Sequence, residues 1–179
     1  MTIDSFSFLS AVARLFRHRW HDQRVRHSLT DAALQRLTKQ VATSEERHSG
    51  QIRICVEGGL PWGYLRSHAP CRERALAMFS KLHVWDTEHN NGVLIYLLLA
   101  DRSIEIVADR GLRAYILNSE WQQMVTRMAS AFRSGQFEQG LALAVEEVTT
   151  LLSAYFPVHA DGERANELPD EPYIAEGKR

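Results

Sequence analysis

The sequence predicts an α/β protein, a three-layer α/β/α sandwich around a small mixed sheet. Three observations predict it. Val93–Ala100 is almost unbroken apolar sequence, the mark of a strand covered on both faces. Only the polar pair Asp101-Arg102 separates it from Ser103–Ala108, where Ile104 and Ile106 share one face and Glu105 and Val107 the other. So short a connection requires an antiparallel β-hairpin. Upstream, Gln51–Glu57 alternates, with Ile52, Ile54 and Val56 on one side and Arg53 and Cys55 on the other. A helical pattern lies between it and Val93–Ala100, and strand–helix–strand connections in one sheet are parallel and right-handed. The sheet therefore holds a parallel β-α-β unit beside the hairpin.

The helices follow from apolar spacing and caps. Thr30 is an N-cap and Asp31 sits in the first turn, where the helix dipole favours negative charge. Leu34, Leu37 and Val41 form the buried stripe of that helix, which runs to about His48 and leaves through Gly50. Pro70 opens a second helix with Ala75, Met78, Phe79 and Leu82 inward. Ser119 caps a third, with Trp121, Met124, Val125, Met128 and Phe132 on one face and Gly135 at its end. The last spans Phe137–Tyr155, with Leu141, Val145, Val148, Leu151 and Leu152 inward, and Phe156-Pro157 stops it.

The domain organisation reads as a basic amphipathic N-terminal helix in 1–28, a folded domain in 29–157 and a disordered acidic tail in 158–179. The tail is polar and acidic and carries two prolines, Pro169 and Pro172, with too little apolar surface for a core. In residues 5–27, Phe8, Leu9, Val12, Leu15 and Phe16 recur at helical spacing beside Arg14, Arg17, Arg19, Arg24 and Arg26. Such a stripe either packs onto the domain or lies on a membrane surface. The expectation is a packed stripe with weak peripheral membrane contact.

Composition narrows the function classes. With 21 Lys+Arg against 22 Asp+Glu, the chain has no bulk attraction to nucleic acid. The two cysteines, Cys55 and Cys71, show no metal-ligand spacing. No basic, apolar and small-residue succession marks a secretory signal, and Val93–Ala100 is too short to cross a bilayer. A cytoplasmic protein is expected, with a protein partner as its other binding class. Gly58-Gly59 lies at the carboxyl end of a parallel strand, where α/β proteins often bind ligands. It lacks the spacing of a phosphate loop.

The hairpin brings polar loops together. A two-residue turn at Asp101-Arg102 sets Leu94 opposite Asp109 and Gly92 opposite Gly111. Asp86, Glu88, His89, Asn90, Asn91, Asp109 and Arg110 then gather at one sheet edge. Oxygen ligands from Asp86, Asn90, Asn91 and Asp109 suit a hard cation, calcium or magnesium. Arg110 suits an anion such as phosphate, and His89 suits acid–base work. Equally, Asn91-Gly92 and Asp109-Arg110-Gly111 are ordinary turn chemistry.

The chain resembles the TPM-domain family. The resemblance rests on Leu29-Thr30-Asp31 before an alternating strand, on Asn91-Gly92-Val93-Leu94-Ile95, on Asp101-Arg102-Ser103-Ile104-Glu105-Ile106, on Gly111-Leu112 and on the segment from Phe137 to Gly140-Leu141. It covers roughly residues 29–156. It implies an α/β/α sandwich, divalent-cation binding at loops on one sheet edge, and an acid-phosphatase activity on phosphate monoesters. Asn90-Asn91-Gly92 stands where members commonly show Asp-Asn-Gly, Asp109-Arg110-Gly111 where they show Gly-x-Gly, and Asn118 where an aspartate is common. These departures favour a cation-binding or partner-binding module over a metal-dependent phosphatase, in which Asp86 and Asp109 would hold metal and His89 and Arg110 would act on the phosphate.

Overall fold

A computed structural model describes residues 14–20, 25–158 and 166–175, the side chains of Arg113 and Asn118 excepted. Residues 14–20 are helical (α1), and Val25–Ser28 adds one turn (α2). There follow α3 (Asp31–Glu45), β1 (Gln51–Glu57), α4 (Trp62–Arg66), α5 (Cys71–Lys81), β2 (Gly92–Leu98) and β3 (Ser103–Ala108). A 3-10 turn (Arg110–Ala114), α6 (Asn118–Arg133), α7 (Phe137–Tyr155) and β4 (Tyr173–Ala175) complete the order. The sheet order is β3-β2-β1-β4. Strand β1 runs parallel to both β2 and β4, and β3 runs antiparallel to β2.

The pleat sorts the side chains into two cores. Ile52, Ile54 and Val56 of β1 join Val93, Ile95 and Leu97 of β2 against α3, α6 and α7. Cys55, Leu94, Tyr96 and Leu98 face the other way, with Ala75 and Met78 of α5. Helices on both faces of a mixed sheet make the three-layer α/β/α sandwich. Among the described residues, no helix is long and apolar enough to cross a membrane.

Thr30 caps α3 as its residue type requires, its Oγ1 accepting from the Ala33 N–H at 3.2 Å. The cap of α6 differs from the expected Ser119. Leu117 holds that position, and the Glu120 carboxylate reaches back to accept its N–H at 2.8 Å. An acid three residues into a helix commonly does this. The short helix α4, after Pro61, has no apolar period long enough to announce it.

Three further expectations change. The hairpin loop has four residues, because Leu98 pairs with Ser103 and Leu94 with Val107. Leu99 and Ala100 instead donate to the Glu57 and Gly58 carbonyls of the neighbouring strand, each at 3.0 Å. The register therefore shifts by two residues, which keeps every side chain on its expected face.

The tail expected to be disordered in 158–179 contains a folded segment. Residues 166–175 return to the sheet and end in β4. Polar residues of β1 hold them. Gln51 Oε1 accepts from the N–H groups of Glu167 and Leu168 at 3.0 Å each, and Arg53 donates to the Pro169 and Glu171 carbonyls. This explains why β1 is buried along its whole length despite its alternating sequence.

The N-terminal helix docks by an unexpected face. Phe8, Leu9, Val12 and Arg24 lie outside the described residues. Within 14–20, Leu15 is half-buried and His18 buried, whereas Phe16 is 74% exposed. The polar His18 takes the buried position because the Leu60 N–H donates to its Nδ1 and the Asp101 carboxylate lies 3.2 Å from its Nε2.

Candidate functional site

The shifted register builds the candidate edge more tightly than the sequence predicts. The ladder runs past β3, with the Asp109 N–H donating to the Gly92 carbonyl at 2.9 Å and the Gly111 N–H to the Asn90 carbonyl at 3.0 Å. Asp109 thus sits opposite Gly92, and Arg110 opposite Asn91. The backbone is crowded here. A Cβ on Gly92 would stand 2.0 Å from the Val84 carbonyl oxygen, and one on Gly111 would stand 2.5 Å from that of Asn90. Only glycine admits so close an approach. Asn90 adopts φ 51°, a left-handed conformation that asparagine tolerates.

Four of the six predicted site residues are joined by position or hydrogen bond. Asn91 is fully buried. Its N–H donates to Thr87 Oγ1 at 3.1 Å and its Nδ2 to the Ser49 carbonyl at 3.1 Å. Its Oδ1 is buried without a hydrogen-bond partner. Asp109 is also buried. Its Oδ1 accepts from the Arg110 N–H at 2.6 Å, and its Oδ2 is buried without a partner. Arg110 Nε donates to Asn90 Oδ1 at 2.8 Å. Asp86 and His89 are exposed, and among the described residues neither side chain bonds to the other four. No ion pair joins Arg110 to Asp86 or Asp109 among the described residues, so the space beside Asp109 is not closed by a salt bridge.

The returning segment adds a residue that the sequence reading missed. Glu167 Oε2 accepts from the Glu88 N–H at 2.8 Å and brings a carboxylate against the 86–91 loop. The apolar interruptions Leu168-Pro169 and Tyr173–Ala175 were the available signal that this stretch folds back. Among the described residues, no three His, Cys, Asp or Glu side chains converge as metal ligands. Any cation here would draw on amide, carbonyl and carboxylate oxygens, as hard cations do.

A second polar cluster lies at the other end of β1. Glu57 is fully buried. It accepts from Arg74 Nε at 2.8 Å, Arg74 Nη2 at 2.7 Å and the Tyr96 hydroxyl at 2.6 Å. Burial pushes the Tyr96 phenol up, and the Glu57 charge pushes it further, so Tyr96 stays protonated and donates. Burial alone would lower the Arg74 guanidinium, but Glu57 beside it outweighs burial and the net direction is up. Every carboxylate oxygen is satisfied, so this cluster reads as structure. Burial also pushes both thiols up, Cys71 to about 12, which keeps them as unreactive thiols.

The TPM domain family matches residues 24–151. The chain belongs to this family. The TPM domain is also similar to the BA42 protein of the psychrophilic bacterium Bizionia argentinensis, with 26% identity over 82% of this chain and 95% of that one, at a TM-score of 0.71. The N-terminal domain of a P. gingivalis protein shares the fold, with 22% identity over 73% of this chain and 82% of that one, at a TM-score of 0.58. No curated protein matches.

Proposed function

We propose that this TPM domain is a binding module that takes a divalent cation, calcium or magnesium, at the edge formed by Asn90–Gly92 and Asp109–Gly111. The observation that carries the reading is the buried Asp109 Oδ2, a carboxylate oxygen without a hydrogen-bond partner among the described residues. A buried acceptor without a donor is costly, and a cation meets that demand directly. Asp109 supplies the anionic ligand, and Asn91, whose Oδ1 is also buried without a partner one ladder position away, is the neutral candidate. Asn90 is the weaker candidate, because its Oδ1 already faces the Arg110 guanidinium.

Arg110 also sets the affinity. A fixed positive charge beside the site opposes a cation, so binding is weak. The same contact argues against the phosphatase alternative. Arg110 Nε, the group suited to a phosphate, is held by Asn90, and His89 stands exposed without a hydrogen bond among the described residues.

Titration of the full chain with calcium or magnesium chloride, followed by amide chemical shifts, tests the reading. Residues 89–92 and 109–112 shift first, and Asp109→Asn removes the effect. Arg110→Ala tightens binding, whereas a phosphate-binding arginine would only lose function on removal. Shifts confined to the acidic residues of 161–176 would overturn the proposal.

A further inference from the structure

One end of the molecule combines protruding aromatics with exposed arginines. The segments 14–20 and 58–69 meet there. Neither contains an acidic residue, although the chain as a whole has 21 Lys+Arg and 22 Asp+Glu. Their contact is close. The Leu60 N–H donates to His18 Nδ1 at 3.0 Å, and a Cβ on Gly59 would come within 2.3 Å of the His18 carbonyl oxygen. Because Nδ1 accepts, the ring proton sits on Nε2, which lies 3.2 Å from Asp101 Oδ1. Arg17 and Arg14 close on the same carboxylate at 2.5 and 3.6 Å.

These contacts fix the rotation of α1. His18 faces the domain, and helical geometry turns residues two before and two after it to the opposite side. Those residues are Phe16, 74% exposed, and Trp20, 59% exposed. Arg19 is exposed beside them. Trp62, two residues past Leu60, is 65% exposed, and Arg66 one turn later is exposed as well.

We propose that this end of the TPM domain docks on an anionic lipid bilayer. Phe16, Trp20 and Trp62 enter the headgroup region, and Arg19 and Arg66 meet the anionic headgroups. Single exposed aromatics need no explanation. Here three of them flank one contact and share it with Arg19 and Arg66, which form no ion pair among the described residues. Tryptophan and arginine together favour the water–lipid boundary, where one end of the indole is wet and the other apolar. An acidic protein would satisfy the arginines but gives no reason for three aromatics to stand in water. The surface lies at the Leu98 end of β2 and the candidate cation edge at the Gly92 end. About 20 Å of strand separates them, so the two readings can fail independently.

The test uses the full chain with vesicles of phosphatidylcholine alone and of phosphatidylcholine mixed with phosphatidylglycerol. Co-sedimentation with the mixed vesicles is expected, with a blue shift of tryptophan emission and quenching by brominated lipid. Arg19→Glu with Arg66→Glu lowers vesicle affinity by at least about tenfold. Trp20→Ala with Trp62→Ala removes most of the quenching. Circular dichroism checks that each variant folds, and Arg127→Glu, on an exposed helix face elsewhere, changes nothing. Failure to bind phosphatidylglycerol vesicles overturns the proposal. So does binding that both double variants leave unchanged, or binding to polyglutamate without binding to vesicles.

Discussion

Replacing Arg74 by methionine should cost the domain several kcal/mol, and the buried Glu57 sets the size of that loss. Glu57 has no contact with water and accepts two hydrogen bonds from Arg74 and one from Tyr96. Methionine keeps most of the side-chain volume in place but leaves the carboxylate with the Tyr96 hydroxyl alone. Breaking a buried ion pair by removing one partner costs about 3–5 kcal/mol, because the other charge stays desolvated. Tyr96→Phe removes one hydrogen bond to a charged group and should cost about 1.5–3 kcal/mol. Adding Glu57→Gln to Arg74→Met should recover part of the loss, because no buried charge is then left unpaired. Urea unfolding followed by circular dichroism measures all three. With a slope of about 2 kcal/mol per molar urea, Arg74→Met moves the midpoint down by about 2 M. A loss below about 1 kcal/mol would mean that the pair behaves like a surface bridge, and the structural role argued for this cluster would be wrong.

Three further outcomes are expected. The Asp101 carboxyl is held down at about 2, first by its hydrogen bond from His18 and then by Arg17, against a burial that opposes both. A depressed folded-state value stabilises fully above the unfolded value near 3.8 and fades as pH falls toward 2. The contribution is about 2 kcal/mol. Limited proteolysis of 14–20 should accelerate as pH falls from 4 to 2, and Asp101→Asn should remove that pH dependence. Gly92→Ala forces a Cβ to 2.0 Å from the Val84 carbonyl oxygen and should destabilise by about 3 kcal/mol or more in thermal unfolding. Gly63→Ala, with nothing within 4 Å, should stabilise α4 by about 0.5–1 kcal/mol.

The strands β1, β2 and β3 were legible because burial on one or both faces leaves a period in the sequence. The hairpin loop was not. Asp101-Arg102 are its polar residues, yet its first two positions are the apolar Leu99 and Ala100, which bond to the neighbouring strand. Nothing in a one-dimensional pattern distinguishes pairing across the hairpin from pairing across the sheet. The returning segment was hidden for a related reason. Its three-residue strand has too few apolar positions to show a period, and Gln51 and Arg53 hold it through backbone hydrogen bonds that any sequence can supply. At the candidate site, turn chemistry placed Asn91 and Asp109 near one another. Which of their oxygens would lack a donor depends on Thr87, Ser49 and Arg110, and only the folded chain brings those partners into position.

The sheet also explains why the two proposed surfaces occupy opposite ends. In α/β proteins, ligands commonly bind beyond the carboxyl ends of the parallel strands. Here that end of β1 is Glu57-Gly58-Gly59, and it is closed. Arg74 and Tyr96 saturate Glu57 from within, and α1 rests on Gly59 so tightly that a methyl group would collide with the His18 carbonyl. The two glycines admit a helix rather than a ligand. With that end capped, the exposed face of the capping helix becomes surface, and it carries Phe16 and Trp20. At the amino end of β2, the loop before the strand and the turn after β3 leave two buried oxygens without hydrogen-bond partners among the described residues. On the two proposals above, the helix that closes one end of the sheet carries the face that would meet a bilayer, and an ion would bind at the opposite end.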